Sequence, residues 1–298
     1  MRPRPSLARL IAAGLLTVAF WAVVLPSYVG PYPTSQGATV LGLQARGAAG
    51  HLAQSEAALR SGDLPAAWEA LQPALEYRPD GVHPAATVQV ALAEWLRANG
   101  EEQGALAALQ NLDWHQADLL RGDILRADGD MGGARAAFAT RTVRERNPAG
   151  WAWTHLHPPA SREIDLGGDL DWGLVDGFYQ GEHEDGITYR WSGAVASLRF
   201  PQAGTGQPLA LHLQIRGWRP EGEEAAVVTL ALGEAEVACF TAPGAWEEVA
   251  TTLPAMPPGE DIVVTLHTTT FLAGPRDLLL TGKLRFLGVM VDEARVEE

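Results

Sequence analysis

The stretch LALHLQI, Leu209 to Ile215, decides the fold of the C-terminal half of the chain. Its apolar residues are Leu209, Leu211, Leu213 and Ile215, and a small or polar residue separates each from the next. Successive side chains of a β-strand point to opposite faces, so a period of two predicts a strand with one buried face. The four apolar residues are therefore predicted to share that face.

Strand-like segments continue on both sides of this stretch, and Gly- and Pro-rich turns such as PQAGTGQP and PAMPPGE separate them. No helical period interrupts them. About nine short antiparallel strands in this arrangement predict an all-β sandwich, a jelly roll, over residues 164–298. The segments are GFYQGE (177–182), ITYRWS (187–192), AVASLRF (194–200), LALHLQIRGW (209–218), AAVVTLAL (225–232), AEVACF (235–240), WEEVATTL (246–253), DIVVTLHTTTF (261–271) and LRFLGVMVDEARVE (284–297).

The order of short motifs in this half resembles a known family. GFYQGE, YRWSG, AVASLRFP, LALHLQIRGWRP and FLGVMVDEARV follow one another as in galactose-binding-like β-sandwich modules. Such modules occur as tails of bacterial membrane glycosyltransferases and in other envelope proteins. The resemblance implies the sandwich fold, and many members of the wider fold bind carbohydrate at loops on one end of the sandwich. A fold alone does not determine function.

The segment ITYRWSG carries the candidate ligand site. Alternation places Tyr189 and Trp191 on one face and Arg190 on the other, and two consecutive strands are predicted to turn at 192–193. A sugar site needs a flat aromatic ring and planar polar side chains, which Trp191, Arg190 and Glu182 would supply. In the alternative, Trp191 belongs to the core and Arg190 pairs with Glu182 across neighbouring strands.

Two further aromatic residues have a charged neighbour in the sequence. They are Trp172, which follows Asp171, and Trp218, which precedes Arg219. Each pair offers the same combination of ring and planar charge as the candidate site.

Enzyme signatures are absent from the sequence, which contains neither G-x-S-x-G nor H-E-x-x-H. Glu182 and Glu184 have the residue types of a glycoside hydrolase pair, but they lie in a segment that reads as a loop. The sequence thus predicts a protein without catalytic residues and without a cofactor. A structural calcium ion, common in such sandwiches, is the exception, and its possible donors are Asp165, Asp169, Asp171 and Asp185.

The middle of the chain, residues 36–146, is rich in Ala, Leu, Glu and Arg and predicts helices with short breaks. The segment SGDLPAAWEALQPALEYRP (61–79) resembles the second helix of a tetratricopeptide repeat, with Ser55 at the small position of the helix before it. Similar turns precede Ala105 and Ala134. The resemblance implies helical repeats over residues 31–148 that contact partner proteins, followed by a linker over residues 149–163.

The first thirty residues begin with a basic tail, MRPRPSLAR, and continue with the apolar run LIAAGLLTVAFWAVVL. With the residues that follow, the run from 10 to 30 reaches roughly the twenty residues of a transmembrane helix. An uncleaved anchor with a cytoplasmic N-terminus is predicted, and a cleaved signal peptide is the alternative. Either alternative places the rest of the chain outside the cytoplasm of a bacterial cell.

The formal net charge of −14 argues against nucleic acid as a partner, because phosphate backbones are also negative. Taken together, the predicted fold class is a transmembrane helix (1–30), a short tetratricopeptide-like α-solenoid (31–148), a linker (149–163) and a jelly-roll sandwich (164–298). The predicted function is a non-catalytic, membrane-anchored scaffold or binding protein of the bacterial envelope. The alternative is a carbohydrate-binding accessory subunit of an envelope glycan or glycosyltransferase system.

Overall fold

The structure of the chain, a computed structural model, describes residues 35–78, 84–146, 148–274 and 284–298. The chain divides into two compact units, Met1–Ala91 and Leu92–Glu298. The described residues form eight helices: α1 (Ser35–Arg60), α2 (Leu64–Leu75), α3 (Ala86–Ala98), α4 (Glu102–Ala108), α5 (His115–Ala127), α6 (Met131–Phe138), α7 (Arg141–Arg146) and α8 (Ala149–His155).

In the first unit, α1 and α2 form a hairpin at the turn that the sequence predicts. Gly62 adopts a φ of 76°, which favours glycine, and Asp63 caps α2 by accepting a hydrogen bond from the backbone N–H of Ala66 at 3.0 Å. Ser55 and Ala67 are both fully buried, and the Ser55 hydroxyl donates to the Ala67 carbonyl at 2.9 Å. Small side chains at these positions allow the two helices to pack closely.

The same turn recurs between α5 and α6 in the second unit. Gly129 has a φ of 85°, and Asp130 accepts a hydrogen bond from the N–H of Gly133 at 2.8 Å. A Cβ atom at Gly122 would lie 2.5 Å from the ring of Phe138, so this position requires glycine. The helical hairpins are present, but the assignment to the tetratricopeptide family is not confirmed and stays a prediction.

The predicted transmembrane helix is wrong for the part of the chain that the structure describes. None of the helices there is both long enough and apolar enough to cross a membrane. The longest, α1, has 26 residues but includes charged ones such as Glu56 and Arg60, which are costly in a bilayer. The predicted anchor, residues 10–30, lies outside the described residues. The predicted single-pass membrane localisation is likewise not supported by any helix of the described residues.

The second unit also contains the strands. Those described are β1 (Glu163–Asp165), β2 (Val175–Phe178), β3 (Glu182–Glu184), β4 (Ile187–Phe200), β5 (Leu209–Arg216), β6 (Val227–Leu232), β7 (Ala235–Thr241), β8 (Glu247–Leu253), β9 (Ile262–Thr268), β10 (Phe271–Leu272), β11 (Phe286–Leu287) and β12 (Met290–Glu297). Their pairing order is β7-β6-β9-β4-β12-β5-β8, and all of these neighbours are antiparallel. One layer contains β1, β5, β8 and β12, and the other contains β2, β6, β7 and β9. Strand β4 pairs within both layers, and the fold is therefore a β-sandwich.

Strand β4 is one continuous strand of 14 residues, not the two strands predicted. Before Ser192 it pairs with β12, and from Val195 it pairs with β9. Side chains support the exchange of partners: the Ser192 hydroxyl accepts from the N–H of Val289 at 2.9 Å, and the Thr268 hydroxyl donates to the Gly193 carbonyl at 2.8 Å. The predicted turn at 192–193 is therefore the point at which β4 passes from one layer to the other.

The core lies between the two layers, and β5 contributes the face that its alternation predicts. Leu209, Leu211, Leu213 and Ile215 are all buried, whereas the residues between them are partly exposed. Inward residues of the other central strands complete this core: Leu198 and Phe200 of β4, Val228 and Leu230 of β6, Val264 and Leu266 of β9, and Val291, Ala294 and Val296 of β12.

Candidate functional site

Trp191 lies on the outer face of the sandwich, in a cluster separate from the main core. The side chain is nevertheless buried, with 6% of its surface exposed. The hairpin of β10 and β11 covers it, and its ring meets that of Phe271 edge to face at 6.0 Å between centroids. Met290 pairs with Trp191 across the strands and fills the same cluster. Trp191 is thus part of a small apolar core under the hairpin.

Tyr189 is the centre of the polar part of this face. Its ring lies 5.6 Å from that of the half-buried Trp246, and its hydroxyl lies 3.4 Å from a carboxylate oxygen of Glu182. Burial and the negative charges of Glu182 and Glu184 raise the pKa of Tyr189 to about 12. The hydroxyl therefore stays protonated and donates to Glu182 at any physiological pH.

Two ion pairs border Tyr189. Arg285 contacts Glu182 at 2.7 Å and Arg216 contacts Glu184 at 3.0 Å. Glu184 is the more exposed acid, with 52% of its side chain in contact with solvent. Arg216 also donates through Nε to the carbonyl of Gly244 at 3.3 Å, which ties it to the loop before Trp246. We call the following six residues the aromatic patch: Glu182, Glu184, Tyr189, Trp191, Arg216 and Trp246.

Arg190 lies on the opposite face of β4 and is buried. Its guanidinium binds both oxygens of Asp171, at 2.5 and 2.8 Å, and stacks 4.6 Å from the centre of the Trp172 ring. The predicted pair between Arg190 and Glu182 is replaced by two separate pairs, because Glu182 meets Arg285. Of the three predicted ligand contacts, Glu182 and Trp191 thus lie on the same face of the sheet as Tyr189, and Arg190 lies on the face behind it. Direct contact of any of them with a ligand stays a prediction.

The members of the other two predicted pairs of ring and charge stay close to each other, on Arg190 in one case and on Phe271 in the other. Trp172 and Asp171 are both buried beside Arg190 and do not face solvent. Trp218 is 42% exposed and meets Phe271 edge to face at 5.9 Å. Trp218 therefore borders the hairpin that covers Trp191.

The four aspartates proposed for calcium do not converge. Asp171 is occupied by Arg190, Asp169 pairs with Arg144 at 3.3 Å, and Asp165 accepts from the hydroxyl of Thr188 at 3.1 Å. Across residues 35–298, leaving out the gaps, no three His, Cys, Asp or Glu residues are grouped so that they could hold a metal ion. Calcium binding by these aspartates stays a prediction.

One carboxyl group of β12 has a strongly raised pKa. Burial raises the pKa of Asp292 to about 6, and the nearby charges of Asp165 and Glu293 act in the same direction. Asp292 lies at a register shift of β12 against β5, between Val291 and Glu293. The irregularity lets the carboxyl group of Asp292 take a position that regular alternation along the strand would not give it.

The helices of the second unit enclose a groove of about 630 Å³. Leu106, Leu112 and Leu125 line it, together with Asp118 and Arg121. The buried carboxylate of Asp118 accepts from Arg121 at 2.8 Å and also binds two threonine hydroxyls, so this ion pair is compensated within the chain. Contact of the helices with a partner protein stays a prediction.

Sequence reasoning missed three residues at this face. They are Arg216 at the end of β5, Trp246 directly before β8, and Arg285 before β11. The sequence signal that could have pointed to these three residues is an aromatic or cationic side chain at or next to a strand end. Nothing in the sequence shows that these distant strand ends meet around Tyr189.

No protein-family model and no curated protein matches the chain. Among solved structures, the C-terminal CBM6 of LamC from Zobellia galactanivorans is 12% identical, with a TM-score of 0.30 over 46% of this chain and 98% of that one. The carbohydrate-binding module CBM6cm-2 of Cellvibrio mixtus lichenase 5A, in complex with cellotriose, is 11% identical, with a TM-score of 0.29 over 46% of this chain and 95% of its own.

A β-1,3-glucan-binding CBM6 from Bacillus halodurans is 10% identical, with a TM-score of 0.29 over 46% of this chain and 96% of that chain. TM-scores this low do not indicate a function, and the geometry of the aromatic patch is the basis for one.

Proposed function

We propose that the C-terminal β-sandwich is a non-catalytic module that binds an oligosaccharide at the aromatic patch. The observation that carries this proposal is the position of Trp246. Its half-buried ring lies against Tyr189, beside the ion pairs of Glu182 and Glu184. An aromatic ring next to fixed planar polar groups is the combination that a sugar ring requires.

The aromatic part of the site would contact the C–H face of a sugar. Tyr189 and Trp191 are buried and form the floor, so Trp246 is the ring of the patch that a ligand reaches. Tyr189 and Trp191 are packed under the hairpin of β10 and β11, and the ring of Trp246 packs against this cluster. Rings held in this way bind with a low cost in conformational entropy.

The polar part would bind hydroxyl groups. Carboxylates accept hydrogen bonds and guanidinium groups donate them, so Glu184 and Arg216 together match a hydroxyl that does both. Their ion pair at 3.0 Å fixes the geometry of both groups before a ligand arrives. The two arginines beside Tyr189 are each paired with a glutamate, Arg216 with Glu184 and Arg285 with Glu182. This charge balance favours an uncharged sugar over an acidic one.

The patch has the composition of a binding site and not of a hydrolase site. Both glutamates are held by arginine partners, at 2.7 and 3.0 Å. Such pairing positions a carboxylate for hydrogen bonding, whereas glycoside hydrolysis needs one carboxyl group that delivers a proton. In this proposal the chain presents a glycan to an enzyme of an envelope glycan system and serves as its accessory.

Trp246→Ala in the full chain tests the proposal. We expect that the native chain binds a neutral oligosaccharide from an array and that the variant loses at least about tenfold in affinity, measured by titration calorimetry. The matched control is Trp153→Ala, since this ring packs 3.9 Å from the guanidinium of Arg199 and lies outside the patch. The control should bind as the native chain does.

Two results would overturn the proposal. One is that the folded native chain binds no oligosaccharide of the array. The other is that binding occurs but is equally strong in Trp246→Ala, which would place the site elsewhere. Melting curves of all three proteins show whether each variant is folded at the temperature of the titration.

A further inference from the structure

The guanidinium of Arg190 joins three segments behind the aromatic patch. It binds Asp171 through Nε and Nη2, and through Nη1 it donates to the carbonyl of Tyr179 at 3.0 Å. Its flat face covers the ring of Trp172. Every part of the guanidinium is therefore engaged within the protein, and Arg190 has almost no contact with solvent.

Tyr179 connects Arg190 with the ligand side of the strand. Its backbone N–H donates to the carbonyl of Trp191 at 2.8 Å, and its hydroxyl lies 3.1 Å from the N–H of Phe286 in the covering hairpin. Its ring lies 5.3 Å from the guanidinium of Arg285, which in turn holds Glu182 of the patch. A displacement of the Tyr179 backbone would therefore move both the cover of Trp191 and the partner of Glu182.

The loop that carries Asp171 is held from the helical side as well. Arg126 of α5 donates to the carbonyls of Leu170 at 2.8 Å and of Trp172 at 3.0 Å. Arg126 also pairs with the buried carboxylate of Asp123. A continuous series of buried charged groups thus runs from α5 through loop 170–172 to β4.

Stability alone does not account for these buried charges. A buried ion pair is often no more stabilising than apolar residues of similar volume, because both charges lose their water. An arginine differs from such residues in its rigid fork, which fixes several acceptors at once. Here the acceptors are a carboxylate on one loop and a carbonyl directly behind the patch.

We infer that Arg190 is a positioning residue for the oligosaccharide site: together with Asp171 it sets the backbone on which Tyr179 and Trp191 stand. The inference rests on the proposed function for its ligand. Arg126 supports the same arrangement from α5, so the helices of the second unit contribute to the precision of the site without touching the ligand.

Arg190→Lys in the full chain tests the inference, because lysine keeps the charge opposite Asp171 but cannot bind its two oxygens and the Tyr179 carbonyl in one plane. We expect about tenfold weaker oligosaccharide binding. Arg199→Lys is the matched control, since Arg199 is a half-buried arginine over a tryptophan ring on the second half of the same strand. The control should bind within about twofold of the native chain.

A second readout needs no ligand and separates the two proposals. In NMR spectra of the free proteins, the indole signal of Trp191 and the amide signal of Phe286 should shift or broaden in Arg190→Lys and stay in place in Arg199→Lys. If the native chain binds no sugar but these signals respond, the proposed function fails, whereas the positioning of Tyr179 and Trp191 by Arg190 stands. Unchanged signals and unchanged affinity in Arg190→Lys would overturn the inference.

Arg126→Lys is the variant to use if Arg190→Lys does not fold. It keeps the pair with Asp123 but loses one of the two carbonyl contacts to loop 170–172. We expect a smaller loss of affinity, about threefold, with the same signals perturbed. An affinity equal to that of the native chain would contradict the inference.

Discussion

Strand β5 and the first half of β4 carry equally regular alternation but bury it in different ways. In β5 the apolar residues face the core and the residues between them face solvent. In the first half of β4 both faces are buried: Tyr189 and Trp191 lie under a hairpin, and Arg190 lies against Asp171 and Trp172. Alternation in a sequence therefore indicates which side chains share a face of the strand. It does not tell what covers that face.

The largest effect on stability is expected from Asp171→Ala, which removes the partner of Arg190 on the inner face of β4. The substitution leaves the buried Arg190 without its carboxylate, which should lower the free energy of unfolding by about 3–5 kcal/mol. Urea denaturation of the full chain measures it. Replacing both partners together, as in Asp171→Leu with Arg190→Met, should recover much of the loss. A loss below about 1 kcal/mol for Asp171→Ala would mean that solvent reaches Arg190.

In β5, Leu213→Ala should lower the free energy of unfolding by about 2–5 kcal/mol, since it opens a cavity between the two layers. The matched control is its neighbour Gln214→Ala on the solvent side, for which a change within about 0.5 kcal/mol is expected. The same denaturation experiment compares them. Similar losses at both positions would show that β5, like β4, is covered on both faces.

Alternation in β12 breaks at Asp292, and the expected effect there is the smallest. The pKa of about 6 lies above that of an unfolded aspartate, so the folded chain favours the protonated form. Protonated Asp292 contributes its full stabilisation of the folded chain at pH values below the unfolded pKa. This contribution is lost as the pH rises through about 6. Asp292→Asn should therefore raise the melting temperature slightly at pH 8 and not at pH 3.5. An equal shift at both values would contradict the titration.

The β-sandwich was predictable because nine segments of short-range pattern indicated it without any knowledge of their partners. The exchange of partners within β4 was not, since Ser192 and Gly193 also suit an ordinary turn. The site was predictable only in part. Glu182 and Trp191 lie on the same face of the sheet as Tyr189, but the partners of Arg190 and Glu182 are 19 and 103 residues away in the sequence. Such pairs depend on tertiary folding, which a single sequence does not encode locally.

The oligosaccharide site that we propose is centred on Tyr189 and Trp246, on the outer face of the sandwich. The most direct test is an NMR titration of the full chain with an oligosaccharide, following the indole signals of its ten tryptophans. We expect the signal of Trp246 to shift most and that of Trp191 to shift less, while those of Trp114 and Trp153 stay in place. No shift at Trp246, or larger shifts at tryptophans outside the aromatic patch, would contradict it.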